Sequence, residues 1–386
     1  MRDIAIVAYG ETPIALKTGR SAYDLAGDVL SQILERTGID RSEIDGVAVT
    51  NCMSEAENPF YAQYLCEMLG LSPTWLELVG LGGVSNVGAA ARAVAAIRSG
   101  FCKTVLVVSA DAQSSGRTPE QGAQRFEFQY PIGLRGPVGV FGLLSQRYRH
   151  LHGLKEEALA RLAVTQRGHA LLNPNACAKL RVPLTEQDYL ASKYVSEPLR
   201  MLDSVMVCDG ANGLLITSVE NAQRLGLKQM AFPTAYAERT HYGITDPMAE
   251  IVETGFLDVG PRAFAKAGLT PKDVAMIQPY DDFLIAVMIQ MEQLGFCERG
   301  RGADFILNTD MTHRGKLPLN TGGGQISAGQ PGLAGGGLNL VEAVRQLFGE
   351  GGERQVADNR NAVVTGIGGI PYGRNWATSA VLILER

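Results

Sequence analysis

Residues 319–337 read LNTGGGQISAGQPGLAGGG, a glycine-dense loop around Gln330, in the triplet Gly329-Gln330-Pro331. Glycine lets backbone approach a ligand closely. A glutamine amide there can donate and accept hydrogen bonds, but it cannot take and return a proton as an imidazole does. Upstream, Tyr280-Asp281-Asp282 follows an apolar run. A tyrosine whose neighbours shift its pKa can act as a general acid or base, with Asp281 or Asp282 orienting it. The same cluster also reads as an ordinary strand exit to solvent. Ser85 opens a helical pattern just after Gly83. Its hydroxyl is a nucleophile only with a base in reach and is otherwise a helix cap. His313, in MTHRGKLPLN, is the imidazole nearest the loop in sequence and the candidate for that base, against the reading of an exposed loop histidine. His241 is a weaker candidate, and His150 and His152 read as a solvated helix end. Main-chain N–H groups at Gly83, Gly329, Gly366 and Gly368 could form an oxyanion hole.

The elements that must position these residues occur twice. Residues 37–47 (TGIDRSEIDGV) and 267–277 (AGLTPKDVAMI) align at an offset of about 230. Each follows a helical pattern, turns through glycine, and enters an apolar strand. Residues 83–100 and 329–349 are both glycine-rich turns opening an apolar helix, each followed by a strand (103–110 and 361–368). This predicts an α/β fold of two similar halves: residues 1–110, completed by 203–225, and residues 226–386. Residues 111–202 read as an insertion packed over one face, the usual place for a substrate-binding region. Their first part is irregular, and two helical patterns follow.

With 386 residues, 46% hydrophobic, the chain can bury two cores. A net charge of −5 supplies no overall attraction for nucleic acid or an anionic membrane. The six cysteines contain no Cys-x-x-Cys pair, so neither an internal metal site nor a disulfide framework is expected. Neither a signal segment nor a transmembrane span is read, so a cytoplasmic protein is expected.

The duplicated halves, the Asp209-Gly210-Ala211 turn and the loop from Asn320 to Gly336 together resemble the thiolase superfamily, and within it the lipid-transfer-protein-like, sterol-carrier-type branch. The resemblance implies a five-layer αβαβα fold, a homodimer, and coenzyme A thioesters as substrate and product, with no covalently bound cofactor. It places Ser85 at the usual nucleophilic cysteine, Gln330 at the histidine, Thr365 or Gly366 at the second cysteine, and Tyr280-Asp281-Asp282-Phe283 at the Asn-Glu-Ala-Phe motif. None keeps its usual reacting group, so Cys–His–Cys thiolysis is not expected. The branch with a Tyr-Asp-x-Phe motif includes retro-aldolases that use tyrosines, the second of which is Gln330 here. Two chemistries are implied: retro-aldol cleavage of a β-hydroxyacyl-CoA, or a non-standard β-ketoacyl-CoA thiolysis or acyl transfer. A small zinc-ribbon/OB-fold partner subunit is implied as well. The alternative is a non-catalytic acyl-CoA-binding scaffold subunit.

Overall fold

A computed structural model describes residues 2–116, 129–134, 136–246, 248–370 and 375–386. The irregular stretch expected early in the insertion lies largely outside these residues. The first half runs β1 (Ile4–Glu11), α1 (Ala22–Thr37), β2 (Gly46–Thr50), α2 (Tyr61–Leu69), β3 (Trp75–Val79), α3 (Ser85–Arg98) and β4 (Thr104–Asp111). The loop region carries α4 (Gly136–His152), α5 (Glu156–Leu171), α6 (Glu186–Leu190) and a hairpin of β5 (Tyr194–Ser196) and β6 (Leu199–Arg200). After it, β7 (Gly210–Ser218) and α7 (Val219–Arg224) return to the first half. The second half is β8 (Phe232–Thr240), α8 (Phe256–Ala267), β9 (Met276–Gln278), α9 (Leu284–Gln293), α10 (Gly302–Asn308), α11 (Gly324–Ala328), α12 (Gly335–Phe348), β10 (Asn361–Gly368) and β11 (Thr378–Glu385).

The repeat seen in the sequence is a repeat of topology. One sheet is ordered β1-β7-β4-β2-β3 and the other β8-β11-β10-β9, so the second copies the first apart from the edge strand β3. The matching pairs β2 with β4 and β9 with β10 are parallel, as is β2 with the extra strand β3, while β7 and β11 run antiparallel to their neighbours. The local cause is the same in both halves. Helices α1 and α8 stop at Gly38 (φ 68°) and Gly268 (φ 69°), left-handed positions that glycine takes without a Cβ clash, and a short turn leads into the strand.

Three apolar layers account for the five-layer stack. Side chains of α1 and α2 pack on the outer face of the first sheet. Helices α3 and α12 lie between the two sheets, with Ala89, Ala90 and Ala93 of α3 and Val341, Val344 and Leu347 of α12 in one core. The outer face of the second sheet is covered by α8 and α9, and α4, α5 and α10 join that core. The loops that start α3, α11 and α12 and the exit of β9 therefore converge at one end of the central layer.

Candidate active site

Tyr280 stands at that convergence, only 5% exposed. Its backbone is fixed by a closed ring of bonds. Its N–H donates to Thr365 Oγ1 (2.8 Å), the Thr365 hydroxyl donates to Gln290 Oε1, and Gln290 Nε2 donates back to the Tyr280 carbonyl (2.8 Å). Thr365 is thus a structural clamp on the tyrosine. The ring lies flat on Gly83, where an added Cβ would fall 2.2 Å from two ring carbons. Gly336 backs the same ring, its Cβ position being 3.3 Å from Tyr280 Cε2.

Gln330 is held to the loop region on both sides. Its N–H donates to the Met206 carbonyl (2.9 Å) and its carbonyl accepts the Cys208 N–H (2.8 Å). Its side-chain Nε2 donates to Gln325 Oε1 (3.0 Å). Gln325 is fully buried, and its own Nε2 has no partner among the described residues. Burial, then the carboxylates of Asp282 and Asp281, push the Tyr280 phenol well above its ordinary pKa, opposed by the Gln325 and Gln330 amides beside it. At neutral pH the tyrosine is therefore a neutral donor.

The other candidates separate. Asp281 is fully buried, and it accepts the Gln325 N–H (3.0 Å), the Ile326 N–H (3.3 Å) and Asn339 Nδ2 (3.2 Å). It pins the start of α11 to the tyrosine loop, and burial lifts its carboxyl to about 6 against those donors. Asp282 is half-buried, and its Oδ1 has no partner among the described residues. Ser85 is fully buried, and its Oγ accepts the Leu81 N–H (2.9 Å).

His313 shows no bond to Ser85. Its N–H donates to His169 Nε2 (2.9 Å), whose Nδ1 meets the Asn320 carbonyl (3.2 Å), and the two rings stand 5.6 Å apart. Accepting at Nε2 fixes His169 as the Nδ1–H tautomer, and burial holds its pKa down to about 4. The pair braces Asn320, which sits at φ 46° with both side-chain polar atoms unpaired among the described residues. Only the main-chain N–H of His313 is engaged in that pair, and its ring Nε2 is buried without a partner among the described residues; the expected pairing with Ser85 is not seen among those residues, where the Ser85 hydroxyl takes the Leu81 N–H.

Close packing accounts for the glycines. A Cβ on Gly368 would lie 1.8 Å from the Leu81 carbonyl oxygen, and one on Gly366 would lie 2.8 Å from Val84 Cα. Gly329 turns the loop at φ 102°, and its N–H is taken by the Gln325 carbonyl (3.1 Å). It is thus not a free oxyanion donor, which corrects that expectation. The thiols bordering Gly329 are those of Cys208 and Cys177, both buried. Burial and Cys177 hold the Cys208 thiol far above its ordinary pKa, which makes it a poor nucleophile.

Around the polar centre the walls are apolar. Phe283 stacks on Phe141 (4.1 Å between centroids), and Phe141 lies 5.9 Å from Trp376. Ser204 bridges Phe283 and Val207 bridges Gln330, so the exposed Met201 and Val207 sit on segments bordering the site. Gln325, Gln290 and Asn339 were not singled out from the sequence. Gln325 lay inside the glycine-rich loop, and its five-residue spacing to Gln330 was the available signal.

The chain belongs to the thiolase superfamily: residues 4–218 match the thiolase N-terminal domain and residues 237–386 the thiolase C-terminal domain-like family. Within it the relatives place the chain in the sterol-carrier-type, thiolase-like branch. It is 30% identical to a steroid side-chain-cleaving aldolase of Thermomonospora curvata, over 95% of each chain. It is 29% identical to a 17-hydroxy-3-oxo-4-pregnene-20-carboxyl-CoA lyase of Mycobacterium tuberculosis, over 95% of this chain and 97% of that one. The solved Ltp2-ChsH2(DUF35) aldolase superposes with a TM-score of 0.87 at 29% identity, covering 100% of this chain and 98% of that one. These similarities make the chain a thiolase-like or aldolase enzyme. Among the described residues no helix is long and apolar enough to cross a membrane.

Proposed function

We propose that this protein cleaves a β-hydroxyacyl-CoA by a retro-aldol reaction, giving a carbonyl compound and a shortened acyl-CoA. One observation carries the reading. The site offers neutral hydrogen-bond donors: the Gln330 amide, aligned with the thiolase histidine, and the Tyr280 hydroxyl beside it, aligned with the Asn-Glu-Ala-Phe motif. Gln330 Nε2 keeps a second hydrogen after bonding Gln325 Oε1. Two donors aimed at a thioester oxygen stabilise the enolate formed when the Cα–Cβ bond breaks, and that chemistry needs no acyl-enzyme. Thiolysis finds no support in the buried, committed Ser85. The apolar walls and the relatives' substrates both favour a bulky hydrophobic acyl group.

The measurement is turnover of 17-hydroxy-3-oxo-4-pregnene-20-carboxyl-CoA and of smaller 3-hydroxyacyl-CoA esters by the wild type and Tyr280→Phe. Loss of the hydroxyl should lower kcat by on the order of 10²-fold. A variant within threefold of the wild type removes Tyr280 from the mechanism.

The assembly is proposed on narrower ground. The edge strand β3 exposes Leu78, and α2 with its N-cap presents Phe60, Tyr64 and Met68, an apolar margin suited to a second copy of the chain. A DUF35-type partner is proposed because the solved neighbour is an Ltp2-ChsH2(DUF35) aldolase. Co-expression followed by mass measurement in solution tests both.

A further inference from the structure

The two carboxylates after Tyr280 are used in opposite ways. Asp281 is spent, with three donors on its oxygens. Asp282 has no donor from another element among the described residues; only main-chain N–H groups of its own segment, at Asp282 and Phe283, face it. Its Oδ1 is buried without a partner among the described residues, although the side chain as a whole is only half-buried. The chain on both sides of it is rigid. Tyr280 is clamped by Thr365 and Gln290, while Phe283 is bridged to Ser204 and stacked on Phe141. An unpaired carboxylate oxygen held on a fixed segment is costly to the fold, and such a group is satisfied when a ligand brings a proton donor to it. In a β-hydroxyacyl-CoA that donor is the β-hydroxyl.

We propose that Asp282 is the general base of the cleavage, accepting the proton of the substrate's β-hydroxyl. The proposal rests on the retro-aldol reading above. As the O–H proton moves to Asp282, the O–H bonding pair becomes the second bond of the new carbonyl. The Cα–Cβ bond breaks, and its electron pair forms the enolate of the thioester, whose oxygen is held by Tyr280 and Gln330. The proton on Asp282 then passes to Cα, which completes the acyl-CoA and restores the carboxylate. No oxidant or reductant enters. Tyr280 is unsuited to this role because burial and both carboxylates keep its proton on. Burial and the neighbouring Asp281 lift the Asp282 carboxyl to about 8, against the main-chain N–H groups of Phe283 and Asp282, a basicity suited to an alcohol proton. Among the described residues no charged side chain of another element opposes that lift.

The test compares wild type, Asp282→Asn and Asp282→Glu, each as the full chain with any subunit that co-purifies. Two readouts are cleavage of 17-hydroxy-3-oxo-4-pregnene-20-carboxyl-CoA and exchange of the Cα hydrogens of propanoyl-CoA for deuterium in D2O. The Asn variant should fold with an equal or higher Tm, because it removes an unpaired buried carboxylate. It should bind the ester with a Kd within about threefold of the wild type, yet lose cleavage and exchange by about 10²–10⁴-fold, with partial recovery in the Glu variant. The wild-type kcat/KM should rise with pH as Asp282 ionises, and that limb should vanish in Asp282→Asn. Cleavage and exchange within tenfold of the wild type would overturn the assignment of Asp282 alone. A wild type that neither cleaves nor exchanges overturns the retro-aldol reading together with it.

Discussion

Replacing Thr365 with valine removes one hydroxyl while keeping the side-chain volume nearly constant, and the consequences follow from the ring it closes. The Tyr280 N–H loses its acceptor, and Gln290 Oε1 loses its donor, with Thr365 and Gln290 both 1% exposed or less. Each buried polar group left unmatched costs about 1–3 kcal/mol, so the expected loss of stability for the two is about 2–6 kcal/mol. The bond from Gln290 Nε2 to the Tyr280 carbonyl remains, so the loop is loosened at its N–H side while the fold is kept. Because donors in such a site act only when held in place, turnover should fall by about tenfold or more. The assays are urea unfolding, which reads the free energy, and kcat/KM on the same preparations. Thr365→Ser keeps both bonds and should recover most of the activity. A valine variant within 0.5 kcal/mol (roughly the spread of a neutral surface change) and with unchanged kcat/KM would refute the clamp.

Ser85→Ala should retain cleavage within about threefold while losing about 1–2 kcal/mol, since only the Leu81 N–H is left unpaired; a hundredfold loss of turnover would return the hydroxyl to the chemistry. Glu342 is buried between Arg345 (2.5 Å) and Arg354 (3.0 Å), and those guanidinium groups, working against its burial, hold its carboxyl down to about 2. A folded-state pKa below the ordinary value of 4.5 contributes stability that is present above pH 4.5 and lost as the pH falls towards 2. Glu342→Gln should therefore cost about 3–5 kcal/mol at pH 7, with the deficit shrinking at pH 3 in urea melts; an equal deficit at both pH values contradicts the pairing. Tyr280→Phe, described above, tests the donor role directly.

The duplicated halves were legible because local signals carry them: glycine stops at Gly38 and Gly268, then apolar strands of matching order. Tyr280 and Gln330 were legible as sites of unusual chemistry because their residue types depart from the pattern of the loop around them. What they bond was not legible. The clamp joins Thr365 to Gln290, 75 positions away, and His313 meets His169 across 144. Such partners are set by how the layers stack, and nothing in the spacing of either segment announces them. Gly329 illustrates the same limit at short range. A glycine in such a loop suggests a free N–H, yet the turn of α11 brings the Gln325 carbonyl onto it.

The central claim is that carbon–carbon cleavage here needs no acyl-enzyme and no incoming thiol. Its most direct measurement is the stoichiometry of products from 17-hydroxy-3-oxo-4-pregnene-20-carboxyl-CoA, with other tertiary β-hydroxyacyl-CoA esters alongside, in the absence of free CoA. The account predicts equal amounts of carbonyl compound and shortened acyl-CoA, formed at the same rate whether or not CoA is added. Cleavage that appears only with added CoA, or no carbonyl product from any of these esters, would contradict it.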